Sequence, residues 1–127
     1  MEMVDKMTIV NILKAAREKI ADPRKWTKKY LYSPPGADVY NAKCWCPIGA
    51  IYSVTNVNGD FGLAAISALE NFVPGCRVLS DYNDNPRTTH ADIIALFDRA
   101  IVAEEKRAAI VAREVDAEAA ELWGTLS

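Results

Sequence analysis

The side chains best suited to covalent or metal chemistry in this chain are three cysteines, Cys44, Cys46 and Cys76, and the single histidine, His90. Cys46 has the most suggestive setting. It stands directly before Pro47, and proline is favoured at the first helical position because its missing N–H would be unsatisfied there and its φ already suits a helix. The spacing therefore predicts a helix from Pro47 with Cys46 as its N-cap. There a thiol meets exposed backbone N–H groups and the positive end of the helix dipole, which lowers its pKa and favours the thiolate. With Cys46 as nucleophile, His90 as base and Asn83 or Asp84 as orienting group, the chain holds candidates for all three roles of a thiol enzyme. Two features weigh against that chemistry. His90 falls in the first turn of a helix, where the dipole disfavours its protonated form, and no glycine-rich oxyanion loop accompanies Cys46. The preferred reading of Cys46 is a small apolar cap packed under Trp45.

Cys44, Cys46, Cys76 and His90 also have the right types and number for a zinc site. Their spacing fits poorly. Structural sites use C-x-x-C pairs, whereas Cys44 and Cys46 are separated by one residue, and Cys76 and His90 form no second knuckle. We expect no metal and no cofactor. A third chemistry lies in Arg24-Lys25-Trp26-Thr27-Lys28-Lys29-Tyr30, where cations meet phosphate and aromatic rings stack on unpaired bases. A nucleic-acid interface there would use Arg24, Lys25, Trp26, Lys28, Lys29 and Tyr30, extended by Tyr32 and Tyr40. The competing reading is a solvated basic turn with Trp26 tucked into the core. No phosphate-binding glycine loop, paired catalytic carboxylates at helical spacing or metalloprotease motif occurs.

These candidates need elements to position them. Thr8 is a plausible N-cap for a first helix with Ile9, Ile12, Leu13, Ala16 and Ile20 on one face. Asp22-Pro23 ends it and opens a short turn carrying Trp26. Aromatic residues then flank a Ser33-Pro34-Pro35-Gly36 turn cluster, and Tyr30–Tyr32 pairing with Val39-Tyr40 would form a short β-hairpin within residues 30–43. The helix from Pro47 is apolar nearly all round, and Gly49 leaves room for a close neighbour. After an Asn58-Gly59-Asp60 turn, Phe61 to Phe72 reads as another buried helix, stopped by Pro74-Gly75. Residues 76–87 read as irregular, with Asn83 and Asp84 holding a loop.

The last helix opens with Thr89 and Asp92 in a capping-box arrangement. From Phe97 the four-three spacing of a heptad runs through Ile101, Glu104, Ala108, Val111, Val115, Glu118 and Leu122. If the helix reaches Trp123 before Gly124 stops it, it spans about 52 Å. A compact domain of this chain length is about 36 Å across, so the helix overhangs its own body and needs a partner. Ala108, Val111, Val115 and Leu122 are the expected interface.

Composition limits the alternatives. Half of the 127 residues are apolar, enough for one buried core. The first residues carry no cationic leader with an apolar run, no stretch is long and apolar enough to span a bilayer, and an odd cysteine count suits a reducing compartment, so a cytoplasmic protein is expected. The net charge of −2 conceals a division: residues 1–43 carry nine Lys/Arg against five Asp/Glu, and residues 44–127 carry six against twelve. The two halves differ in sign and can recognise different partners or each other.

Two segments taken together also carry a resemblance. Trp45-Cys46-Pro47-Ile48-Gly49-Ala50 resembles a W-C-x-[IVL]-G-A signature. Tyr82-Asn83-Asp84, Arg87-Thr88 and the helix from Asp92 to Ala100 resemble a W-N-D…R-T…D-[IV]-[LI]-x-L signature, departing from it at Tyr82. Both are similar to a family of small uncharacterised bacterial and phage proteins, over residues 8–101. The resemblance implies no activity. It does imply that Cys46, Gly49, Asn83 and Asp84 form one cluster, and it makes a phage-encoded or phage-derived origin an expectation.

The fold expected is an all-α bundle of about four main helices with a projecting C-terminal helix, divided into a core over residues 1–103 and an extension over 104–127 for oligomerisation or partner binding. The function expected is a protein-interaction module acting as a homodimer or on a partner protein, rather than an enzyme. Nucleic-acid binding through residues 24–30 and thiol chemistry at Cys46 are the alternatives.

Overall fold

The computed structural model describes residues 3–34, 38–55, 60–76 and 78–126, with the side chains of 3–8, 76 and 116–126 outside the description. The expected Asn58-Gly59 turn and the Pro35-Gly36 part of the turn cluster lie outside the described residues. Among those described, five α-helices and one pair of short strands follow the order α1 (Met3–Lys19), β1 (Tyr32–Ser33), β2 (Cys44–Trp45), α2 (Pro47–Val54), α3 (Asp60–Glu70), α4 (Leu79–Asp84) and α5 (His90–Leu126). The architecture is the helical bundle with a long last helix that the periodicity predicts.

Helix α1 packs on α2, α3 and α5. Its Ile12, Leu13, Ala16 and Ile20 stripe is buried, while Lys14 and Glu18 face outward. Thr8 is not its cap, because the helix already begins at Met3. No glycine or proline interrupts the good helix formers ahead of Thr8, so the backbone continues through it. Helix α2 has no exposed residue. Its N-terminus is capped as expected, with Cys46 Sγ accepting from the Gly49 N–H at 3.4 Å. The core closes on Leu13, Ile20, Ile51, Leu69, Leu79, Ile93 and Phe97, all without solvent exposure. Each such side chain contributes about 1.5–3 kcal/mol through burial.

The strand pairing differs from the expected hairpin. Tyr32 pairs with Trp45 and Ser33 with Cys44, so the partner strand lies just ahead of α2 rather than at Val39-Tyr40. The reason is local. The Asp38 carboxylate accepts from the backbone N–H groups of both Tyr40 and Asn41, which turns that segment and keeps it out of a ladder. Residues 76–87 are not irregular throughout, since α4 occupies Leu79–Asp84. Leu79 and Asn83, one helical turn apart, both point into the protein, and the Glu70 carboxylate holds the Leu79 N–H at 2.9 Å. Tertiary anchoring overrides the turn preference of the Asp/Asn-rich segment.

Helix α5 opens on the expected reciprocal cap: the Thr89 N–H donates to Asp92 Oδ2 at 2.9 Å and the Asp92 N–H to Thr89 Oγ1 at 3.1 Å. It then runs for 37 residues, about 55 Å at 1.5 Å per residue. Ion pairs join Arg17 to Asp98 at 2.7 Å and Lys14 to Glu105 at 3.4 Å, which sets α1 and α5 antiparallel. These pairs are partly exposed and contribute little stability; the buried faces between the helices hold them together. No described helix is long and apolar enough to cross a membrane.

Candidate functional site

The residues singled out for chemistry meet where α2, α4 and the segment between α1 and β1 come together. Asp22 caps a 3-10 turn at Pro23–Lys25. The chain leaves that turn through Trp26, whose backbone bridges to Trp45 beside β2. The Thr27 N–H donates to the Trp45 carbonyl at 3.0 Å. From the other side Asn83, buried in α4, accepts the Trp26 Nε1–H at 2.7 Å and donates through Nδ2 to the Thr27 carbonyl at 3.1 Å. Asp84 takes the Lys29 N–H at 2.6 Å, and Lys29 adopts a left-handed φ of 71°. Asn83 and Asp84 therefore clamp a strand-like segment onto the start of α2. They do not merely hold their own loop.

Gly49 belongs to the same junction. The Cys46 N–H donates to the Leu31 carbonyl at 3.1 Å, and a Cβ at position 49 would collide with that carbonyl. The close neighbour is thus a backbone rather than another helix. The cluster implied by the resemblance, Cys46, Gly49, Asn83 and Asp84, is one packed junction.

Its electrostatics oppose thiol chemistry. Burial pushes the Cys46 thiol pKa up, outweighing the lowering by the Gly49 and Ile48 N–H groups, and the nearby Asp84 carboxylate raises it further. The dipole argument for an activated thiolate is overturned by desolvation. His90 turns elsewhere: its Nε2 lies 2.6 Å from the Ile20 carbonyl oxygen, and its ring packs against Trp26 with centroids 5.7 Å apart. No described hydrogen bond links His90 to Cys46 or Asp84. Cys44 sits with its Sγ 3.9 Å from the Ser33 carbonyl. Among the described residues no three His, Cys, Asp or Glu side chains gather as a metal site, and the Cys76 side chain lies outside the description.

The basic-aromatic segment is largely committed to this junction. Trp26 is held by Asn83, and Lys28 Nζ donates to the Asn85 carbonyl at 2.7 Å while lying over the Trp26 ring. Arg24 pairs with Asp22 at 2.7 Å, and that pairing holds the Asp22 carboxyl down to about 2. Lys25, Lys29 and Tyr30 remain exposed.

The heptad stripe of α5 behaves differently along its length. Phe97 and Ile101 are buried, Glu104, Ala108 and Val111 are half-buried, and Val115 is 52% exposed. The Leu122 side chain lies outside the described residues. A second apolar line, Val102 and Ile110, is 49% and 52% exposed.

Sequence reasoning missed the link between Trp26 and Asn83, which lie 57 residues apart. Trp26 stands outside both motifs, and no local feature of the sequence pairs it with Asn83. No curated protein and no solved structure matches this chain significantly. The model of a family of unknown function, DUF6197, matches residues 5–103, and the chain belongs to that family.

Proposed function

We propose that this protein is a cytoplasmic interaction module that associates with a second copy of itself or with a partner protein through the C-terminal half of α5. The observation that carries this reading is the imbalance of α5. Its last fully packed residue is Ile101, yet the helix continues to Leu126, and the described part beyond Ile101 leaves Val102, Ile110 and Val115 about half exposed. A long helix on its own gains little from local hydrogen bonding, and its stability comes from covering an apolar face. The family match also ends at residue 103, which supports reading the rest of α5 as an extension of the shared body. Service to a phage or its bacterial host belongs to the same reading and rests on the motif resemblance alone.

The alternatives draw less support. Thiol catalysis needs an accessible, ionised Cys46, and burial opposes both. Nucleic-acid binding through residues 24–30 would have to use Lys25, Lys29 and Tyr30 without Trp26. Sedimentation velocity separates these readings. The full chain is expected to sediment as a dimer or larger species, and a chain ending after Ala103 as a monomer. An assembly that survives the truncation would place the interface on the body and remove α5 from the proposal.

A further inference from the structure

A cleft of about 640 Å³ opens at the C-terminal end of α1, against the loop that leads into β2. Its floor is apolar, made by Ala15, Ala42, Trp45 and Val54, and its rim carries Lys19, Lys25 and Lys43 against the single carboxylate of Glu18. Lys19 Nζ lies 4.9 Å from the centre of the Trp45 ring. None of the three lysines has an ion-pair partner among the described residues. The cleft thus combines surplus positive charge with an apolar base, the requirements of an acidic amphipathic segment.

The chain contains such a segment. After Arg113, α5 carries Glu114, Asp116, Glu118 and Glu121 with no Lys or Arg, interspersed with Val115, Leu122 and Trp123. It cannot reach the cleft of its own chain while α5 stays helical. The antiparallel pairs Arg17–Asp98 and Lys14–Glu105 put the cleft, at the C-terminal end of α1, level along the axis with the first turns of α5, and the helix runs on from there in the opposite direction. Glu118 lies about 30 Å along the axis from Asp98.

Resting on the reading of α5 as an interaction helix, we propose that the acidic end of α5 docks into the Lys19–Lys25–Lys43 cleft of a second copy, and that reciprocal exchange closes a dimer. Complementary patches at opposite ends of one chain suit two identical contacts about a two-fold axis, leaving neither patch open.

Charge reversal tests this in the full-length protein. One variant carries Lys25→Glu and Lys43→Glu, the other Glu114→Lys, Glu118→Lys and Glu121→Lys, and circular dichroism checks the folding of both. Wild type is expected to dimerise and to weaken roughly tenfold or more between low salt and about 0.5 M salt. Each variant alone is expected to be monomeric, and an equimolar mixture to recover the dimer, because the unaltered acidic helix end of one variant meets the unaltered cleft of the other, while the reversed helix end meets the reversed cleft. A dimer that persists in both variants alone overturns the cleft as the seat of α5 and leaves the interaction-helix reading standing. A wild type that stays monomeric at every concentration overturns the exchange, and so does one whose cleft lysines bind single-stranded nucleic acid instead.

Discussion

At the scale of single residues, the junction between α2 and α4 explains why certain small or polar side chains are where they are. Gly49→Ala puts a methyl group into the Leu31 carbonyl, a backbone atom that cannot step aside. We expect a loss of about 3 kcal/mol or more in urea unfolding, in the range of severe overpacking. Asn83→Ala strands the Trp26 Nε1–H and the Thr27 carbonyl in a part-buried place and should cost about 2 kcal/mol by the same measurement. Cys46 carries a pH dependence. Its folded pKa is raised above the ordinary 9.0, so the native state retains the thiol proton longer than the unfolded chain. The associated stability is complete below about 9 and is lost as pH rises through the folded value. Urea midpoints between pH 8 and 10.5 should fall more steeply in wild type than in Cys46→Ala, and a parallel decline would refute the assignment. The cap at Cys46 was legible because Pro47 follows it. The upward shift of the thiol pKa was not, since desolvation depends on what covers the site.

At the scale of elements, the helices with strong apolar spacing could be read from the chain, and the pieces defined by distant partners could not. α5 announced itself through Thr89, Asp92 and the run from Ile93 to Ile101. Thr89→Ala should remove one half of the reciprocal cap and cost about 1 kcal/mol, measured by thermal or urea unfolding. The short strands were misplaced because Asp38 reserves Tyr40 and Asn41 for a turn, and two-residue strands carry almost no pattern of their own. α4 was hidden because six residues rich in Asp and Asn favour turns until Leu79 and Asn83 find burial. What decides these elements is tertiary contact, which no local window contains.

At the scale of the whole molecule, one core unites residues 12 to 101 and the remainder of α5 adds nothing fully buried among its described residues. A chain ending after Ala103 should therefore keep a single cooperative unfolding transition, with a melting temperature within a few degrees of the full chain measured as a dilute monomer. A large drop would mean that the extension braces the body rather than reaching outward. The pairing of the first helix with the last has a consequence for how the protein is made. Arg17 and Asp98 meet across 81 residues, and Leu13 and Ile20 share their core with Ile93 and Phe97. Such contacts are slow to form because a long loop must close before they reward the chain. During synthesis, α1 can meet α2 and α3 first, but the part of its apolar stripe that shares the core with Ile93 and Phe97 stays uncovered until that stretch of α5 leaves the ribosome.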